Sequence, residues 1–252
     1  KGNELGGLAS LISRIPAKNR LADFPHYLMH RAEQLENLYI FKNTEGTPEN
    51  IRKFHPNIIV SSTGSAPLLP PITGLKDRID NENYNIYSIL GMISHINDFP
   101  KDLEGKKVVV VGGGAVGLDV VEFFADRNAD ISIVEMMDQI GRDLDPVSKN
   151  DTKTMMKKHN VHQLTKTALL EVKDSSFLVK GDGEPYELPF EYGFVCLGMR
   201  AQGQLYQSLT EEFSSEDVEI MNIGDSQRAR RIIDGTQEGR NILTILEQKG
   251  YL

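Results

Sequence analysis

The segment KKVVVVGGGAVGLDVVEFFADRNADISIVE, Lys106 to Glu135, constrains this chain more than any other. Its first part, Lys106–Val111, is a β-branched run without polar alternation, the pattern of a strand buried on both faces of a parallel sheet. Three glycines then stop it. Gly112, Gly114 and Gly117 stand in the frame G-x-G-x-x-G, directly after that strand and at the opening of a helix predicted from about Ala115 to Arg127. In this frame Gly112 makes the tight turn, Gly114 lets the backbone approach a pyrophosphate, and Gly117 lets the helix lie close to the sheet. Free N–H groups at the helix start, Ala115 and Val116, supply a positive dipole end. Ile131–Val134 is the next strand and terminates at Glu135, about 20 residues after the glycines, where a carboxylate accepts from the ribose hydroxyls of an adenosine. Strand, turn, helix, strand and acid agree with one another, so a dinucleotide-binding unit is expected. Glu135 repels a 2′-phosphate, and Met136-Met137-Asp138 offers no arginine to hold one, which favours NADH over NADPH.

The remaining composition mainly excludes. A length of 252 residues suffices for one large or two small domains, and a net charge of −8 argues against nucleic acid or an anionic membrane as partner. No apolar run approaches the roughly 20 residues that span a bilayer, and no signal peptide is visible, so the expected location is the cytoplasm. The single cysteine, Cys196, cannot form an internal disulfide and leaves no C-x-x-C pair. His26 and His30 are spaced i, i+4, but the six histidines fit no metal pattern, and no G-x-S-x-G elbow is present.

Along the chain, KGNELGG reads as a loop leaving a strand that is not in the sequence. Helical spacing over Arg20–Leu35, a strand at Leu38–Phe41, a short helix from Thr47-Pro48 and a strand at Asn57–Ser61 follow. Asp77–Tyr87 is expected as a surface connection, Ile89–Ile96 as a short helix, and Asn97–Gly105 as the linker into the glycine unit. After Glu135, Asp145-Pro146 opens a helix to about His159. Strands at Val161–Leu164, Ala168–Val172, Phe177–Lys180 and Tyr186–Leu188 suggest a meander covering a parallel sheet. Phe194–Leu197 and Glu219–Ile223 are further strands, and a helix over about Arg231–Lys249 ends the chain.

Several motifs then fall into one order. Thr63-Gly64 with Pro67 beyond resembles the A-T-G-x-x-P turn of flavoproteins built from two dinucleotide-binding domains, and Gly112–Gly117 resembles the NAD(P)H fingerprint of their inserted domain. VCLGMRA, with Gly198 at its turn, is similar to the strand that returns the chain to the first domain, and Asn222–Asp225 is similar to the second FAD motif. RRIIDGTQEG, Arg230–Gly239, resembles a narrower group: the C-terminal half of NADH:flavin oxidoreductases of the 2,4-dienoyl-CoA reductase, 2-enoate reductase and trimethylamine dehydrogenase type. The resemblance implies an α/β fold of two Rossmann-like domains, an NAD(H) domain at 100–198 inserted into an FAD-type domain at 1–99 and 199–252 that is incomplete at its N-terminal side.

It also implies contacts. Gly6, Gly7, Thr63, Gly64, Gly224 and Asp225 are the expected residues toward FAD, with the aspartate on the ribityl chain, while Asp119 is expected near the nicotinamide end. Met136 and Gly198 join the expected NAD(H) contacts. The family's FMN barrel, iron–sulfur cysteines and first FAD fingerprint have no counterpart here, so a piece of a longer polypeptide is expected. The implied activity is that of an NADH-dependent flavin oxidoreductase, passing hydride from NADH to FAD and onward to a barrel that reduces an enoate or enoyl-CoA. The alternative is a non-catalytic module holding ADP or NAD. Whether copies form a homo-oligomer stays open.

Overall fold

The computed structural model describes residues 2–251. In chain order the first elements are α1 (Gly7–Ile12), α2 (Asp23–Glu33), α3 (Pro48–Arg52), β1 (Ile58–Ser61), β2 (Ser65–Pro67), α4 (Leu75–Arg78), β3 (Ile86–Tyr87) and α5 (Ile89–Ser94). The glycine segment supplies β4 (Lys107–Val111), α6 (Ala115–Ala125) and β5 (Asp130–Val134), followed by α7 (Pro146–Lys158), β6 (His162–Leu164), β7 (Ala168–Val172), β8 (Ser176–Lys180), β9 (Tyr186–Pro189) and β10 (Tyr192–Val195). β11 (Met199–Ala201), α8 (Gln204–Glu212), β12 (Glu219–Asn222) and α9 (Ile232–Gln248) close the chain. Two compact units result, one of Arg14–Lys18 with Pro67–Gly198, the other of the residues up to Ser13, Asn19–Ala66 and those from Met199 on.

The Pro67–Gly198 unit is organised by a parallel sheet in the order β3-β10-β4-β5-β6. Val108–Val111 are all buried because both faces are covered. On one face Phe99, Phe123 and Phe124 pack edge-to-face, and Phe194 joins them at a tilt, 4.8 Å from Phe124 between centroids. On the other, Val109, Val111, Val134 and Val195 pack with Leu169, Val172, Phe177 and Val179 of the antiparallel β7-β8-β9 meander; the expected fourth strand of that meander, at Val161–Leu164, instead pairs in parallel with β5 as β6 and belongs to the main sheet. α7 starts where Asp145 accepts the N–H groups of Val147 and Ser148 at 3.0 and 3.1 Å, with Pro146 at the first helical position. Asn160, in the left-handed region, ends that turn.

Two segments depart from the sequence reading. Asp77–Tyr87 is no surface connection: Ile79 and Ile86 are buried, β3 is the edge of the main sheet, and Asp80 accepts from both the N–H and the hydroxyl of Ser88 at 2.7 and 2.6 Å. Residues 67–99, assigned by motif order to the FAD-type part, therefore pack with the glycine unit. Leu38–Phe41 forms no strand among the described residues and is exposed throughout. Strand propensity is realised only against a pairing neighbour, and among the described residues no strand pairs with it.

In the second unit β1 and β12 pair in parallel, Ile58 with Glu219 through Ser61 with Asn222. Ile59, Leu209 and Phe213 form its small buried cluster. Arg52 of α3 donates from Nε to Glu212 Oε1 at 3.0 Å and from Nη2 to the Glu212 carbonyl at 2.9 Å, lying over the Phe213 ring. That clasp fixes α3 on α8.

Candidate nucleotide site

The candidate site grows out of the end of β4. Gly112 turns the chain at φ +109°, and a Cβ there would lie 2.1 Å from the Cys196 carbonyl oxygen. A Cβ on Gly117 would lie 1.9 Å from the Gly112 carbonyl oxygen. These two glycines are thus demanded by the fold itself. Gly114 differs: it has φ −78° and open space where a Cβ would be. It is the N-cap of α6, and no side chain caps that helix end, nor does its first turn hold an acidic residue. The uncapped amides suit an anionic group.

Those amides border a cleft of about 560 Å³ whose walls are predominantly apolar. Seven of the predicted contacts line it together: Gly112, Gly114, Ala115, Val116, Glu135, Met136 and Gly198. Glu135 is tied by its two oxygens to the N–H of Gly113 at 2.6 Å and the N–H of Met137 at 2.7 Å. Each oxygen keeps a further lone pair for a hydroxyl donor. Amides for a pyrophosphate, a carboxylate for a ribose and apolar walls for a flat base fit a dinucleotide. Pro70, Ile72, Leu169 and Leu197 complete the walls. The sequence named none of these four as contacts: Pro70 and Ile72 come from the proline-rich loop 68–74 and Leu169 from the meander, brought to the glycine turn only by tertiary packing, while Leu197 directly precedes Gly198 after β10. Cys196 is buried, and burial pushes its thiol up to about 12.

Asp119 lies outside this cleft. It borders a separate cavity of about 380 Å³ between α6 and α7, where Lys18 Nζ approaches Asp119 at 3.0 Å and Glu122 at 3.3 Å. Burial pushes the Asp119 carboxyl above its ordinary value, an effect Lys18 offsets only in part. Burial works to lower the Lys18 ammonium, and the two carboxylates more than offset it, leaving it raised. Lys18 carried no signal in the sequence.

In the other unit, Thr63, Gly64 and Asp225 share a hydrogen-bonded neighbourhood. Thr63 Oγ1 donates to the Gln202 carbonyl, and Gln202 N–H donates to the Gly64 carbonyl at 2.9 Å. Asp225 accepts from Ser65 Oγ at 2.9 Å and from the Arg230 N–H at 3.0 Å. Gly224 N–H donates to Glu238 at 2.6 Å, and Arg230 pairs with that same carboxylate. An oriented aspartate at a strand end fits a hydroxylated chain such as that of FAD. Gly6 and Gly7 stand at the start of α1, where the Gly6 carbonyl accepts from Ser10.

Fold and site together define a dinucleotide-binding α/β protein with two Rossmann-like parts. Residues 35–221 match the pyridine nucleotide-disulphide oxidoreductase family, and the chain belongs to it. It is 25% identical to a metal reductase of Desulforamulus reducens, covering 96% of this chain and 39% of that protein. It is also 25% identical to an NADH oxidase of Thermoanaerobacter brockii, covering 95% of this chain and 35% of the relative. Among solved structures, a 2-naphthoyl-CoA reductase superposes with a TM-score of 0.79 at 22% identity, over 95% of this chain and 34% of that one. A histamine dehydrogenase from Rhizobium sp. gives 0.77 at 14% identity, over 96% and 37%. The chain thus spans little more than a third of these larger proteins, in keeping with the narrower resemblance carried by Arg230–Gly239. Among the described residues no helix is long and apolar enough to cross a membrane, and no group of three or more ligating side chains could hold a metal ion.

Proposed function

We propose that this chain is the NADH-binding electron-input module of a larger flavin-dependent oxidoreductase. One observation carries the reading: uncapped α6 amides and the Glu135 carboxylate meet in a single apolar cleft of dinucleotide size. Gly114, Ala115 and Val116 would hold the pyrophosphate, Glu135 the adenosine ribose, and the cleft walls the base. Among the described residues lining it there is no lysine or arginine, which supports NADH over NADPH. Gly6, Gly7, Thr63, Gly64, Gly224 and Asp225 would face FAD, and 100–198 would serve as the NAD(H) domain. Bound flavin supplies the hydride acceptor. The onward route would lead through an iron–sulfur cluster and FMN to a barrel domain acting on an enoate or enoyl-CoA, outside this chain.

A second reading, a nucleotide-holding module without hydride transfer, is favoured by Glu238, which occupies the Gly224 amide in the flavin-type half. Calorimetric titration with NADH, NADPH, ADP and FAD, with an absorbance spectrum, separates the two. Tight NADH, weak NADPH and NADH-bleachable yellow colour support the first; NADH or ADP binding without colour supports the second. Absence of any nucleotide binding would sink both.

A further inference from the structure

The glycine unit carries two sulfur atoms in the wall of its cleft, and their situations are opposite. Cys196 is buried and held as a neutral thiol, a form that reacts poorly with peroxides. Met136 is 68% exposed, more than any other methionine described; Met137 follows at 40%, and Met92 and Met156 are buried. Thioether oxidation follows access, so Met136 is the sulfur an oxidant meets first. Its position is also fixed. The backbone on either side is bonded, Glu135 N–H to the Leu164 carbonyl and Met137 N–H to Glu135 Oε1, so the side chain is presented at the rim of the cleft.

From this we infer that Met136 is a peroxide-sensitive modification site whose oxidation weakens NADH binding. The inference rests on the nucleotide reading of the cleft. One peroxide molecule oxidises one thioether: the O–O bond breaks, an S–O bond forms, sulfur loses two electrons, and the peroxide leaves as water or an alcohol. The product replaces a soft apolar group by a polar sulfoxide, a strong acceptor, next in sequence to Glu135 in a cleft whose lining is predominantly apolar. A flat base loses apolar contact there. Reduction by methionine sulfoxide reductases makes the change reversible.

The test treats the whole chain with graded hydrogen peroxide, removes the peroxide, and follows each methionine by peptide mass spectrometry alongside NADH titration. Met136 should be oxidised first, NADH should slow that oxidation, and the Kd for NADH should rise threefold or more. Met136→Leu, compared with its own untreated affinity, should show no peroxide-dependent loss, whereas Met137→Leu should behave as the wild type. Earlier oxidation of another methionine, an unchanged Kd after Met136 is oxidised, or an equal loss in Met136→Leu would each overturn the proposal alone. If untreated protein binds no NADH, the nucleotide reading falls and takes the proposal with it.

Discussion

At the scale of single residues, the three fingerprint glycines separate into two kinds. Gly112 and Gly117 have backbone atoms where a Cβ would stand, so Gly117→Ala forces the start of α6 off the sheet and should destabilise by about 2 kcal/mol or more, seen as a lowered urea midpoint. Gly114 has open space and an ordinary φ. Gly114→Ala should therefore keep its melting temperature while losing roughly tenfold in NADH affinity, about 1.4 kcal/mol, because the methyl group intrudes only on a ligand. If Gly114→Ala binds NADH normally, the pyrophosphate is not held there. Glu135→Gln should cost both, since its carboxylate answers two backbone donors at once. An amide keeps one and turns N–H toward the other, a loss of about 1–2 kcal/mol by denaturant titration.

Elements show how packing and charge set the cost of change. The meander lies on the sheet so closely that a Cβ on Gly193 of β10 would stand 2.7 Å from both Phe177 and Phe190, rings whose centroids are 4.5 Å apart. Gly193→Ala should cost about 1–3 kcal/mol by overpacking, read in the same titration. On α6, burial holds the Asp119 carboxyl above its ordinary value of 3.8. The sign follows: between 3.8 and the raised folded value the unfolded chain has released this proton and the folded chain retains it. The stabilisation from neutral Asp119 is full below 3.8 and is lost as pH rises through the folded value. The stability of wild type minus Asp119→Asn should thus decline with rising pH across that window. A difference that increases with pH would show that Lys18 dominates instead. Lys18 reached α6 from residues 14–18, far off in sequence. Nothing local encoded that partnership, whereas the β4–α6–β5 unit was legible because each of its constraints is local: β-branched run, glycine spacing, helix period and terminal acid.

At the scale of the whole molecule, legibility falls with distance in sequence from the glycine turn and does not follow the two units. Around the glycine turn, local patterns and tertiary packing agree, and the strands expected from Val161 to Leu188 lie where periodicity put them. Elsewhere the sequence misled wherever a strand needs a neighbour, as at Leu38–Phe41, or where short apolar runs read as loop, as at Ile79 and Ile86. The cleft walls were invisible for a related reason, since they join segments nearly 100 residues apart, Ile72 and Leu169. The units differ in what they bury. Residues 67–198 hold the extended cores on both faces of the main sheet, while α1 and α2 bury no residue fully and α9 only Leu246. Opening free energies should follow that division, with slow amide exchange over β4, β5 and β10 and fast exchange over α1, α2 and α9. NADH at about 100 times its Kd adds about 2.7 kcal/mol to whatever part folds around it. If the cleft is the site, hydrogen-exchange mass spectrometry with NADH should slow exchange at 112–118, 134–137 and 196–198 and leave 232–248 as it was. Protection centred on 224–238 instead would move the nucleotide to the other unit, and the function proposed for the glycine turn would have to be given up.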